Sequence, residues 1–243
     1  MKLEISKLTK TFGPQKAISS MDLVLPDCQS LLFIGPSGSG KSTLLRLLAG
    51  LEYPNSGTMT INDQPIVYEE EALRKYRSSL GIVFQSWNLF PHLTALENIV
   101  LPLHRVHGLS KEEAIARSLE LLRRFGLEKH AHKKPYALSG GQVQRIALIR
   151  AVSIQPKMLM LDEPTSALDP LMTAEVLDLI MELKKDEKDF VLVTHHLQFA
   201  RKVADWVLFI AEGQIIEHGT PDSLFNHPKS PLVKEYMEKV LAY

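Results

Sequence analysis

An α/β fold whose strand–helix alternation is broken by an all-helical block is the architecture this sequence predicts, and three observations predict it. SLLFI, Ser30 to Ile34, is a short apolar run that leads straight into the glycine-rich GPSGSGKST, after which KSTLLRLLAG takes on helical spacing. KMLMLDE, Lys157 to Glu163, is a second strand of the buried type and ends on two acids. Between them, from Ser86 to about Gln155, every periodic segment reads as helix.

The elements follow in order. LEISKLTKTF and AISSMDLVLP read as strands around a Gly13-Pro14 turn, and the helix opened at Lys41 is stopped by Gly50. TMTIND alternates like an antiparallel strand, EEEALRKYR is helical, and SLGIVFQ returns to strand. Inside the helical block, Thr94 with Glu97 and Ser110 with Glu113 have the spacing of capping boxes, and Gly126 ends the second of those helices. After KMLMLDE come helix PLMTAEVLDLIMELKK, strand FVLVTH, a short helix, strands WVLFIA and QIIEHG about Glu212-Gly213, and a helix-rich tail. The partition is one domain over 1–243, with 1–85 and 156–243 as the α/β core and an N-terminal antiparallel β-subdomain, and 86–155 as an inserted helical subdomain.

Composition narrows the function classes. Lys plus Arg and Asp plus Glu both count 28, so no bulk positive charge draws the chain onto nucleic acid, and no nucleic-acid partner is expected. The single cysteine, Cys28, can form no internal disulfide and fits a reducing compartment. The N-terminal MKLEISKLTKTF lacks the apolar run of an export signal, and clusters such as LLRLLAGL are far shorter than the roughly 18 residues a membrane span needs. Action at a membrane would need another subunit.

GPSGSGKST, Gly35 to Thr43, matches the G-x-x-x-x-G-K-[ST] pattern without a mismatch. Such a loop turns backbone N–H groups toward phosphate oxygens while the helix start adds partial positive charge. Gly35, Pro36, Ser37, Gly38, Ser39 and Gly40 form the cradle; Lys41 reaches the β- and γ-phosphates, Ser42 ligates Mg²⁺ and Thr43 serves the α-phosphate region. A metal shell also wants a carboxylate on a neighbouring strand. Strand side chains alternate faces, so the adjacent acids divide the labour: Asp162 for the metal, Glu163 for the attacking water. ALSGGQVQR, Ala137 to Arg145, is a second anion-favouring helix start, because Ser139 and Gln142 stand as a capping box before an apolar run.

GPSGSGKST, Gln85 of VFQ, LSGGQVQR, LMLDEPTSALD and VTH, in this order and spacing, resemble the nucleotide-binding subunits of ATP-binding cassette (ABC) transporters over essentially the whole chain. The resemblance implies a P-loop NTPase core, ATP and Mg²⁺ as ligands, and ATPase activity. It makes Ser139, Gly140, Gly141 and Gln142 the family signature, Gln85 a metal-contacting residue facing the membrane subunits, and Asp169 part of a loop at the dimer interface. His195 becomes the histidine that touches the γ-phosphate, and Phe12 the aromatic stacked on adenine. Taken alone, Gln85 also reads as a strand-end polar residue, and His195 and Phe12 as core residues. Asp27-Cys28-Gln29, Val143 and His196 depart from common family residues, without touching a catalytic position.

FPHLTALENI and the ending VLFIAEGQIIEHGTPDSLFNHP are similar to the ATPases of bacterial polar amino-acid importers, and no added regulatory domain is expected after Tyr243. The implied partners are a second copy of the chain, transmembrane permease subunits and, indirectly, an extracytoplasmic binding protein; the implied place is the cytoplasmic membrane face. An isologous dimer explains the two grips, since Ser139 and Gly141 of one copy would close on the phosphate held by Lys41 of the other. Trp87, Leu89 and Phe90 admit two readings: an exposed trio would mark the permease site, a buried one would cap the helical subdomain. Another small-solute or lipoprotein-release system, a soluble DNA-repair ATPase and a non-hydrolysing scaffold are the competing classes. Zero net charge and the lack of a long coiled-coil insert speak against DNA repair, and Glu163 and His195 against the scaffold.

Overall fold

A computed structural model describes residues 1–166, 168–185 and 188–241, with Leu241 described by its backbone alone, and contacts divide the chain into two units. The first unit is Met1–Arg77 with Asp189–Tyr243 and the second is Ser78–Lys188.

The first unit holds two sheets. β1 (Leu3–Phe12), β2 (Gln15–Val24), β4 (Ser56–Ile61) and the two-residue β5 (Gln64–Pro65) pair antiparallel in the order β2-β1-β4-β5. The second sheet runs β10 (Gln214–Gly219), β9 (Trp206–Ala211), β3 (Ser30–Ile34) and β8 (Asp189–Val193), with β3 parallel to both β8 and β9. Every residue of β3 is buried, as an apolar run without alternation requires when a parallel strand is covered on both faces. Helices α1 (Lys41–Leu48), α2 (Glu70–Ser78), α7 (Leu197–Val203), α8 (Pro221–Asn226) and α9 (Pro231–Leu241) complete the set, α2 running one residue past the boundary. α1 stops at Ala49, and Gly50 then turns the chain. Cys28 is buried, and desolvation pushes its thiol up to about 11, so it behaves as a small core residue.

In the second unit, β6 (Leu80–Val83) pairs parallel with the fully buried β7 (Met158–Asp162). α5 (Gly140–Ser153) packs on β6, and α3 (Ala95–Arg105), α4 (Lys111–Arg124) and α6 (Pro170–Lys184) pack on α5, while two 3₁₀ turns, Glu128–His130 and Pro135–Ala137, lie ahead of α5. Both expected capping boxes are made: Thr94 Oγ1 accepts from Glu97 N and Ser110 Oγ from Glu113 N, each at 3.2 Å, while the two carboxylates reach back. The cap of α4 is Phe125, with Gly126 at φ 68° just beyond it.

Candidate functional site

In the first unit β3 delivers the chain into the Gly35–Gly40 loop, and α1 leaves it at Lys41. Gly40 sits at φ 103° as the cap of α1, and among the described residues no side chain caps that helix start. A Cβ on Gly40 would collide with the Ala17 carbonyl oxygen of β2, so only glycine lets the loop lie this close. The first N–H groups of a helix have no intrahelical acceptor, and with the helix dipole they favour an anion.

Lys41 is 4% exposed, and its Nζ donates to the carbonyls of Gly35 at 2.9 Å and Pro36 at 2.7 Å. Pro36, Ser37 and Gly38 are exposed; Ser42 and Thr43 are half-buried. The Ser39 hydroxyl is buried and has no hydrogen-bond partner among the described residues, a polar group suited to a ligand in the loop. The Ser39 carbonyl accepts from Gly213 N at 3.1 Å, and the Gly213 carbonyl accepts from Ser19 N at 2.9 Å. The Glu212-Gly213 turn therefore ties the loop to β2. On another side Tyr236 of α9 donates its hydroxyl to the Gly35 carbonyl at 3.3 Å, its ring edge-on to Phe209 of β9 with centroids 5.0 Å apart. Burial pushes the Tyr236 phenol up, and the bond to Gly35 opposes it.

Phe12 closes β1 at 47% exposure, with the Lys10 ammonium 4.7 Å from its ring centroid. It is not a core aromatic: one face carries a cation–π contact. His195 is exposed beyond the end of β8, and Thr194 Oγ1 accepts from His196 N at 3.1 Å, turning the chain into α7. Burial, and after it the neighbouring His195, pull the His196 imidazole down.

In the second unit Asp162 ends β7 at 3% exposure. Glu163 follows at φ 47°, a left-handed backbone that costs a non-glycine residue about 1 kcal/mol. Its carbonyl accepts from Ser166 N at 3.3 Å and Ser166 Oγ at 3.2 Å. The strand thus ends at Asp162 and a turn begins at Glu163, so the direction of Glu163 is no longer set by the pleat.

Gln85 is exposed, two residues past β6. The loop after it is held from inside by fully buried Asn98, whose Oδ1 accepts from Phe90 N at 2.8 Å and whose Nδ2 donates to the carbonyls of Phe90, Leu93 and Thr94 at 3.2, 3.2 and 2.9 Å. Arg150 donates to the Asn88 carbonyl at 2.8 Å and the Trp87 carbonyl at 3.4 Å. The apolar trio splits. Phe90 is 44% exposed, whereas Trp87 and Leu89 are half-buried, and a Cβ on Gly140 would stand 3.6 Å from Cζ2 of Trp87.

Ser139 caps α5 in a full capping box: its Oγ accepts from Gln142 N at 3.3 Å, and Gln142 Oε1 accepts from Ser139 N at 3.1 Å. Gly141 N donates to the Met172 sulfur at 3.2 Å, and Met172 N donates to Asp169 Oδ1, the cap of α6, at 2.9 Å. The fold thus gathers Ser139–Gln142, Asp169 and Trp87 in one place. Sequence reasoning missed Met172, Asn98, Tyr236 and Gly213. Asn98 left a trace, a polar residue on the buried stripe of α3; Met172 and Tyr236 left none.

Comparison with known proteins bears on this arrangement. A family model described as ABC transporter matches residues 18–166. The chain is 45% identical over 241 residues to the glutamate transport ATP-binding protein GluA of Corynebacterium glutamicum, covering 99% of this chain and 100% of that one. It is 43% identical over 239 residues to the arginine transport ATP-binding protein ArtM of Bacillus subtilis, covering 98% and 100%. Among solved structures, a dimeric ATP-binding cassette in a post-hydrolysis state, bound to ADP and Pi, is similar with a TM-score of 0.80 at 34% identity, over 90% of this chain and 98% of that one.

Proposed function

The chain belongs to the ABC transporter family, and from that premise we propose that it is the ATP-hydrolysing subunit of a bacterial importer of polar amino acids, working as a head-to-tail homodimer on separate membrane subunits. The observation that carries the nucleotide reading is the start of α1. Its cap is a left-handed glycine without a side-chain acceptor, followed by a buried lysine whose amine is held by the loop's own carbonyls. That arrangement suits a polyphosphate.

Bound ATP would supply the phosphoanhydride and Mg²⁺ the charge neutralisation. Among the described residues no group of three or more His, Cys, Asp or Glu gathers to hold a metal, which fits a cation that takes part of its shell from phosphate and water. Ser42, Gln85 and Asp162 are the residues assigned to that cation. Lys41, with Gly35 to Thr43, holds the phosphates, and Phe12 receives the adenine on the ring face away from Lys10. Glu163 orients the attacking water and accepts its proton; His195 contacts the γ-phosphate. Ser139, Gly140, Gly141 and Gln142 serve the nucleotide of the second copy, and Asp169 lies at that interface.

Among the described residues no helix is long and apolar enough to cross a membrane, so attachment to the cytoplasmic face would run through the permease subunits. The exposed ring of Phe90, five residues past exposed Gln85, supports a docking surface on this loop. One relative is named for glutamate and another for arginine transport, which supports a choice of cargo made by the permease and an extracytoplasmic binding protein rather than by this subunit. Glu163→Gln tests the assignment: hydrolysis should fall at least a hundredfold while ATP drives the chain into a dimer on size-exclusion chromatography. Equal hydrolysis by wild type and variant would reject Glu163 as the base.

A further inference from the structure

Three of the first N–H groups of α5 have acceptors inside their own unit. Gln142 N has the Ser139 hydroxyl, Val143 N the Ser139 carbonyl, and Gly141 N the thioether of Met172 at 3.2 Å. The third differs in kind, because a thioether sulfur is a weak acceptor beside an oxygen. The contact is also close-packed: a Cβ on Gly141 would stand 2.9 Å from Cβ and 3.0 Å from Cγ of Met172. Met172 is in turn anchored through its own N–H to the Asp169 carboxylate, and Arg145 of α5 pairs with Glu175 of α6 at 3.3 Å.

Building on the proposed dimer, we propose that Met172 is a positioning residue whose sulfur is a displaceable stand-in for the phosphate of the second copy. In the single chain it keeps the Gly141 N–H from being left without an acceptor. On closure a phosphate oxygen, the stronger acceptor, takes that N–H, and Met172 is released. Because Met172 is tethered to Asp169, the exchange reports to the Asp169 loop whether the signature is engaged. The weakness of sulfur is what makes the exchange favourable: a stronger internal acceptor would hold Gly141 back, and none would leave the N–H unpaired until closure.

The test compares Met172→Leu and Met172→Gln, both on the Glu163→Gln background, by the ATP concentration at half-maximal dimerisation. Leucine keeps the bulk and removes the acceptor; glutamine offers a stronger one at similar reach. The leucine variant should dimerise at three- to fivefold lower ATP, the glutamine variant at several-fold higher ATP, and amide hydrogen exchange at Gly141 in the nucleotide-free chain should speed up in the first and slow in the second. A residue that merely supports α5 would weaken the dimer in both. Midpoints that are unchanged, or raised in the leucine variant, overturn the inference alone. A Glu163→Gln parent that never dimerises with ATP overturns the functional reading and the inference with it.

Discussion

The hydroxyl of Tyr236 and the carbonyl of Gly35, 201 residues apart in the chain, are joined by a 3.3 Å hydrogen bond, and the same carbonyl accepts from Lys41 Nζ at 2.9 Å. If Lys41 turns to phosphate, Tyr236 keeps this part-buried carbonyl satisfied. Losing one such bond costs about 1 kcal/mol, roughly a fivefold change in an equilibrium. Tyr236→Phe should therefore raise the KM for ATP about fivefold with kcat nearly unchanged. A steady-state titration with ATP separates the two parameters; an equal fall in kcat and kcat/KM at unchanged KM would mean that α9 acts on the chemical step.

Two glycines of the phosphate loop should respond differently to the same change. At Gly40 a Cβ would meet the Ala17 carbonyl, whereas at Gly38, φ 76°, nothing among the described residues lies within 4 Å of one. Gly38→Ala should cost only the left-handed penalty of about 1–2 kcal/mol. Gly40→Ala adds a clash with main chain and should cost more and abolish binding. Thermal unfolding and binding of a fluorescent ATP analogue distinguish the pair.

Asn98 makes four hydrogen bonds to the loop that carries Phe90. Asn98→Ala leaves those groups without their partner and should destabilise the chain by about 2 kcal/mol. Phe90→Ala, at an exposed ring, should leave the melting temperature unchanged and reduce co-purification with the permease. Trp87→Ala is a poorer probe of docking, because that indole packs beside Gly140 and its loss also disturbs the signature. Retention of the permease by the Phe90 variant would move the docking surface elsewhere.

The capping boxes carry a pH dependence. The Thr94 N–H and then its hydroxyl hold the Glu97 carboxyl below its ordinary value, and the Ser110 hydroxyl and then its N–H do the same for Glu113. A carboxylate depressed in the folded state contributes stability that is fully present above its unfolded value, about 4.3, and is lost as pH falls through the folded value. The wild-type melting temperature should drop below about pH 4, and the Glu97→Gln, Glu113→Gln double variant should show a shallower drop. Parallel curves would show that other carboxylates govern acid unfolding.

Much of the fold was legible because its signals are short-ranged. β3 is bounded as its apolar run predicts, and the Thr94, Ser110 and Ser139 caps are complete within three residues of themselves. β6 is shorter than its apolar pattern, ending at Val83, because pairing with β7 stops there. The trio Trp87, Leu89 and Phe90 could not be resolved from sequence: all three are apolar, and which ring is covered depends on a glycine 53 positions past Trp87.

By itself the sequence determined the phosphate loop, the paired acids, the signature helix start and the alternation of elements, since each is written in neighbouring residues through turn chemistry, capping and periodicity. Only the tertiary structure decided which hydrogen-bond partner each of those groups meets. Gly141 bonds the sulfur of Met172, Gly35 the hydroxyl of Tyr236, and Ser39 the amide of Gly213. Those pairings depend on where the chain returns after 31, 201 and 174 residues. No local preference of either residue encodes the other, and only close packing of the folded chain selects them.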